Sequence, residues 1–135
     1  METLVGFLQV ERANPQRLLC KQGDVGDSAF LILRGEARVS YITNGVETML
    51  AKLEAGDYFG EVCLVEPGVR SADVKTTSEC LFLKLSHAAF QQIMESHPNL
   101  AARLLAAIIR MTAARLRTTN KRFADSMLMA RAWAK

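Results

Sequence analysis

From Asn99 to Lys135 the chain contains neither glycine nor proline. No other feature limits its fold as strongly. These 37 residues without a breaker read as one continuous helix of about 55 Å at a rise of 1.5 Å per residue. A chain of 135 residues makes one domain of ordinary size, and such a helix is longer than its core requires. The core must therefore come from the preceding residues, and there the pattern is reversed. From about Leu8 to Leu85, Gly23, Gly26, Gly35, Gly45, Gly56, Gly60 and Gly68 punctuate short apolar runs.

Four of those runs, Ser28–Leu33, Ala37–Ile42, Thr48–Leu53 and Cys80–Leu85, read as strands with no proline inside them. Short strands separated by frequent turns predict an all-β sandwich or barrel. Asn44-Gly45, between two such runs, marks a hairpin, because a type I′ turn needs two residues that tolerate positive φ. After Leu85 the period lengthens. Ala88–Glu95 predicts a short helix with Phe90, Ile93 and Met94 on one side, and Pro98 suits the first turn of the long helix. The fold class is mainly β with C-terminal helices (α+β), divided at residues 1–98 and 99–135 of one domain.

The long helix carries a seam. Ala102, Ile109, Leu116, Phe123 and Ala130 recur every seven residues. Leu105, Thr112, Thr119, Ser126 and Trp133 follow them three positions later. This is a heptad pattern, apolar at one position and mixed at the other. Pairing with a second copy of the chain is the expectation, and packing on the β-domain is the alternative.

Charge divides at the same joint. Residues 1–98 carry 9 basic and 13 acidic side chains, a net of −4, while residues 99–135 carry 8 basic side chains and Asp125, a net of +7. The overall +3 describes neither half. Arg103, Arg110, Arg117 and Arg131 form a stripe beside the seam, which reads as a solvated helix face or as a surface for an acidic partner.

Several classes find no support. No run reaches the roughly 20 apolar residues of a membrane span, and Glu2 stands where a signal peptide carries positive charge. A soluble, cytoplasmic protein is expected. Cys20, Cys63 and Cys80 lack CxxC spacing, and they read as small buried hydrophobes in a reducing compartment rather than metal ligands or disulfides. His87 and His97 stand in no HExxH motif, and both lie near expected helix starts, where a capping or solvated role is expected. There is no GxSxG elbow and no GxxxxGK[ST] loop. No catalytic or metal-binding residue is assigned, and an enzyme is not expected.

The most informative stretch runs from Gly56 to Val74, with Gly60-Glu61 followed by Arg70-Ser71-Ala72. Gly60 permits close backbone approach, and Glu61–Val65 can form one helical turn whose leading N–H groups face an anion. Arg70 supplies a fork of donors suited to phosphate, and Ser71 adds a hydroxyl. A carboxylate beside a phosphate is tolerable if the ligand also offers hydroxyls to Glu61, as a sugar phosphate does. A structural Glu61–Arg70 ion pair beneath a glycine-rich turn satisfies the same residues.

Phe59-Gly60-Glu61 followed by Arg70-Ser71-Ala72-x-Val74 resembles the phosphate-binding cassette of cyclic nucleotide-binding domains. The resemblance extends upstream through Gln22-Gly23-Asp24-x-Gly26-Asp27 and through Phe30-Leu31-Ile32-Leu33-x-Gly35-Glu36-Ala37-x-Val39. It spans about Val10 to Thr119, and it implies a β-roll of jelly-roll type, then a short helix and a long C-terminal lid and dimerisation helix. It further implies a ligand site of Phe59, Gly60, Glu61, Val62, Cys63, Arg70, Ser71 and Ala72. Arg70 and Ser71 would face the cyclic phosphate, and Gly60 with Glu61 would hold the ribose 2′-hydroxyl. On the long helix, Thr119 would meet the purine and Asn120 would reach the partner subunit's ligand.

Asp73 departs from the family pattern by adding a carboxylate near Arg70, and Cys63 stands where Gly or Ala is usual. The expected function is a sensor for a cyclic nucleotide, cAMP ahead of cGMP, that signals through its C-terminal helix as a homodimer. The alternative is a fragment of a catabolite-activator-like DNA-binding regulator without its helix-turn-helix domain. A dimerisation module with a vestigial pocket is a third possibility.

Overall fold

A computed structural model describes residues 6–134 of the chain. It forms two compact units, the first ending at His97 and the second beginning at Pro98.

Among the described residues, the first unit holds ten strands. They are β1 (Gln9–Ala13), β2 (Leu18–Cys20), β3 (Val25–Gly26), β4 (Ser28–Arg34), β5 (Ala37–Thr43), β6 (Val46–Leu53), β7 (Tyr58–Phe59), β8 (Gly68–Val69), β9 (Asp73–Thr76) and β10 (Cys80–Ser86). Two helices complete it, α1 (Val62–Val65) and α2 (His87–Ser96). One sheet has the order β1-β10-β4-β7, a second β2-β9-β5-β6, and β3 pairs with β8 alone. All the pairings are antiparallel. The four strands read from the sequence are present as β4, β5, β6 and β10.

Alternation along the strands builds the core. Ser28, Phe30 and Ile32 of β4 are buried, as are Cys80 and Phe82 of β10. Phe30 and Phe59 stack with centroids 4.9 Å apart, and the Phe82 ring meets both edge-on at 6.2 Å. Offset stacks and T-shaped contacts suit the aromatic quadrupole, so these three rings pack specifically and not only as apolar mass. Ile32, Ala37, Leu53 and Val74 fill the space around them.

The buried Thr76 hydroxyl donates to the Asn14 carbonyl at 2.7 Å and accepts from Arg17 N–H at 2.8 Å. One polar group thus satisfies the backbone of the turn joining β1 to β2. Asn44 and Gly45 have φ of 53° and 78°, and Thr43 faces Val46 across them, as the hairpin reading requires.

Helix α2 is capped by Ser86, whose side chain accepts from Ala89 N–H at 3.1 Å. Phe90 and Ile93 are buried, but Met94, expected on the same side, is exposed. The burying face of α2 is therefore narrower than the sequence suggested. Cys20, Cys63 and Cys80 are all free and buried.

The second unit is α3 (Pro98–Ala134), 37 residues beginning on the proline. Ile109, Leu116 and Phe123 of the heptad seam are exposed at 64%, 57% and 68% in the single chain. The Trp133 side chain lies outside the described residues. Among the described residues, no helix is long and apolar enough to cross a membrane.

Candidate functional site

Arg70 follows directly on β8, and the β3–β8 ladder fixes its backbone. Val25 pairs with Val69 and Gly26 with Gly68. Gly23 N–H donates to the Arg70 carbonyl at 2.9 Å, and Arg70 N–H donates to the Asp24 carbonyl at 2.7 Å. The side chain then passes between two glycines. A Cβ on Gly26 would coincide with the Arg70 guanidinium, and one on Gly60 would lie 2.5 Å from Nη1. Gly60 has a second reason to be glycine, since its φ is 78°.

The guanidinium donates from Nη2 to the Ser28 carbonyl at 2.9 Å and from Nη1 to Cys63 Sγ at 3.4 Å. These partners replace the Glu61–Arg70 ion pair left open by the sequence. Glu61 is the half-buried N-cap residue of α1, and its side chain makes no capping hydrogen bond. Its carboxylate is thus not used in holding the turn. Within the turn, Cys63 N–H donates to the Gly60 carbonyl and Leu64 N–H to the Glu61 carbonyl, both at 3.1 Å. The amides of Glu61 and Val62 are the leading donors of the turn.

Asp73, the departure that set a carboxylate near this cluster, is occupied elsewhere. Its Oδ1 accepts from Gln22 N–H at 2.6 Å. Gln22 in turn holds Ile42, accepting from its N–H at 2.8 Å and donating to its carbonyl at 3.1 Å. The carboxylate closes the β2–β9 end of the sheet, and its charge is partly spent on that bond.

The remaining expected residues divide into two groups. Ser71 is exposed and Ala72 half-buried, next to Arg70 in sequence, while Val62 is exposed on α1. Phe59 is buried with its ring committed to the aromatic core, so only its backbone can border a ligand. Cys63 is buried and is a partner of Arg70 rather than a spectator. Thr119 and Asn120 are exposed on α3 in the second unit, and the Thr119 hydroxyl donates to the Arg115 carbonyl at 3.0 Å.

Arg70 also borders a cavity of about 210 Å³ lined by Cys20, Lys21, Asp24, Asp27, Phe30 and Lys84, among others. Glu61, Ser71 and Ala72 are not in its wall. Lys84 pairs with Glu11 at 3.6 Å and lies 5.8 Å from the centre of the Phe30 ring. Burial pushes the Cys20 thiol up from its ordinary value; the nearby Arg70 charge opposes this, and Cys63 and Asp73 add to it. The Cys20 sulfur is therefore a protonated, weakly polar part of the wall and a poor nucleophile. Among the described residues, no group of three or more His, Cys, Asp or Glu side chains could hold a metal ion.

Two contributors carry no sequence signal of their own. Ser28 acts through its carbonyl, which any residue could supply. Gly26 stands in a motif but reads there as turn punctuation, because its closeness to Arg70 arises only when β3 pairs with β8.

The chain is similar to several known proteins. A family model described as the cyclic nucleotide-binding domain covers residues 10–97. The potassium/sodium hyperpolarization-activated cyclic nucleotide-gated channel 2 of Homo sapiens is 34% identical over 91 residues, which are 67% of this chain and 10% of the channel. A crystal structure of a cyclic nucleotide-binding domain from Methylobacillus flagellatus is similar with a TM-score of 0.84 at 30% identity, covering 89% of this chain and 68% of that one. The catabolite activator protein of Thermus thermophilus is similar with a TM-score of 0.73 at 28% identity, covering 88% of this chain and 55% of the activator. The chain spans about a tenth of the length of the channel it matches.

Proposed function

Because this chain belongs to the cyclic nucleotide-binding domain family, we propose that it is the sensor part of a signalling protein, with cAMP as its preferred ligand. The observation that carries this reading is the Arg70 side chain threaded between Gly26 and Gly60 beside the Glu61 turn. Such a channel admits a guanidinium and excludes any side chain on either glycine. In the ligand-bound state, Arg70 and Ser71 take the cyclic phosphate, aided by the leading amides of α1. Glu61 accepts from the ribose 2′-hydroxyl. Thr119 offers its hydroxyl to the purine and Asn120 reaches the ligand of a second copy, with α3 as the output element. A ligand that favours one state of the chain over another would shift their populations.

Calorimetry with cAMP and cGMP tests the ligand. Saturable binding at one site per chain, tighter for cAMP, is expected. No heat with either nucleotide at concentrations approaching roughly 1 mM, about 4 kcal/mol of binding free energy, would sink the reading. Sedimentation velocity on the same samples tests pairing through α3. A dimer is expected, and a monomer at every loading concentration would remove that part of the proposal.

Gly26→Ala gives a more local check. Gly26 does not need positive φ, and the nearest atoms its methyl would meet belong to the Arg70 side chain and not to backbone. The variant should fold, displace the guanidinium, and weaken cAMP binding by about tenfold or more, which is about 1.4 kcal/mol or more. Unchanged affinity would mean that the Gly26 side of the channel is not needed in the bound state.

A second reading, part of a DNA-binding regulator, draws on the 55% coverage of the Thermus activator and on the +7 charge of residues 99–135. Steeply salt-dependent DNA affinity in this chain alone would favour direct contact by α3.

A further inference from the structure

His87 is the first residue of α2, and it makes two contacts outside that helix. Its N–H donates to the Asp27 carbonyl at 2.7 Å, and its ring Nδ1 lies 2.6 Å from the Leu64 carbonyl. A carbonyl can only accept, so Nδ1 carries the proton in this contact.

The Leu64 carbonyl is an orphan of a very short helix. In α1, Glu66 N–H takes the Val62 carbonyl, and the carbonyls after it have no partner within the helix. Leu64 itself is 2% exposed, and α1 packs against α2. A buried helix end with an unmet carbonyl is costly. His87 meets that need from 23 residues away.

The other contact reaches the far side of the site. Asp27 precedes Ser28, whose carbonyl receives Arg70 Nη2. The Asp27 carboxylate also accepts from the Ser28 hydroxyl at 2.9 Å. His87 therefore ties the segment that holds Arg70 to the turn that carries Glu61. The geometry points to His87 as a positioning residue: its Nδ1–H sets the Gly60–Leu64 turn at the spacing from Arg70 that the ligand requires. It touches no ligand itself. This rests on the cyclic nucleotide reading of the site.

Three variants separate positioning from bulk. Asn places a donor near where Nδ1–H lies, Gln places one a bond further out, and Phe keeps a ring without a donor. His87→Phe should weaken cAMP binding about fivefold to tenfold in calorimetry, and His87→Asn should return to within about twofold of the parent chain. His87→Gln should resemble Phe more than Asn. Hydrogen exchange on the ligand-free proteins supplies a second measurement. In His87→Phe the amides of Cys63, Leu64 and Glu66 should lose protection, while those around Phe90 and Ile93 keep it.

Binding by the Phe variant within twofold of the parent chain, or an Asn variant no better than Phe, overturns the assignment. So does unchanged exchange at Cys63–Glu66. If the parent chain binds no cyclic nucleotide, the ligand reading fails by itself, and exchange in the ligand-free chain still decides whether His87 fixes the turn.

Discussion

Arg70→Leu severely weakens cyclic nucleotide binding while the β-roll stays folded: this is the expected result with the largest functional effect. The guanidinium is held in its channel by the Ser28 carbonyl at 2.9 Å and Cys63 Sγ at 3.4 Å. Little side-chain freedom remains to be lost on binding. An anion approaching the Glu61 turn is opposed by the Glu61 charge, and Arg70 is the cation that offsets it. Removing one partner of a desolvated charge pair costs about 2–5 kcal/mol, so affinity should fall by roughly 30-fold to 1,000-fold or more.

The fold loses charge-assisted contacts worth about 1–3 kcal/mol, because leucine cannot donate to Ser28. Circular dichroism and a melting curve on the variant show whether the roll survives. Arg70→Lys keeps the charge but not the planar fork, and it should recover only part of the affinity. Affinity of the Leu variant within threefold of the parent chain would remove Arg70 from the ligand site altogether.

Phe82→Ala carries the largest expected effect on stability. Phe82 is 1% exposed and is the ring that meets both members of the Phe30–Phe59 stack edge-on. Truncation removes the transfer energy of a ring and leaves a cavity against two other rings. Such changes cost about 3–5 kcal/mol, a large part of the roughly 5–15 kcal/mol that holds a domain together. The melting midpoint should drop by roughly 10 °C or more. Phe82→Leu, which keeps much of the volume, should cost far less and serves if the Ala variant does not fold. A loss below about 1 kcal/mol in urea titration would mean that the three rings are not the centre of the core.

The long strands were legible because their signal is local. β4, β5, β6 and β10 carry alternating or continuous apolar runs bounded by turn residues, and Asn44-Gly45 names its own turn. The long helix was legible from an absence of breakers, and α1 from one turn of apolar residues after Gly60. The two-residue strands β3 and β8 were not legible. Val25–Gly26 and Gly68–Val69 become strands only by meeting each other across more than 40 residues, and no local pattern encodes that.

The site divides in the same way. Arg70, Glu61 and Gly60 stand out as candidates in the sequence, since their chemistry belongs to their own side chains or their own φ. Ser28 was not, because it contributes a backbone carbonyl. Cys63 reads as a small filler until its sulfur is seen 3.4 Å from the guanidinium. His87 reads as a helix-start residue, and its link to Leu64 depends on α1 folding against α2. Met94 failed for a simpler reason: helical spacing says which residues share a side, and not how wide the covered stripe is.

The sheet order β2-β9-β5-β6 leaves β6 at a margin. Its eight residues pair with β5 on one side, and no strand among the described residues pairs with the other. Val46, Met49 and Leu50 are exposed at 63%, 58% and 57% along it. Glu47 and Lys52 are the charges that oppose another strand settling there. A row of backbone donors and acceptors flanked by apolar side chains is a template for self-assembly. An intact core gives no protection against association through such a margin, because the pairing groups there are already at the surface.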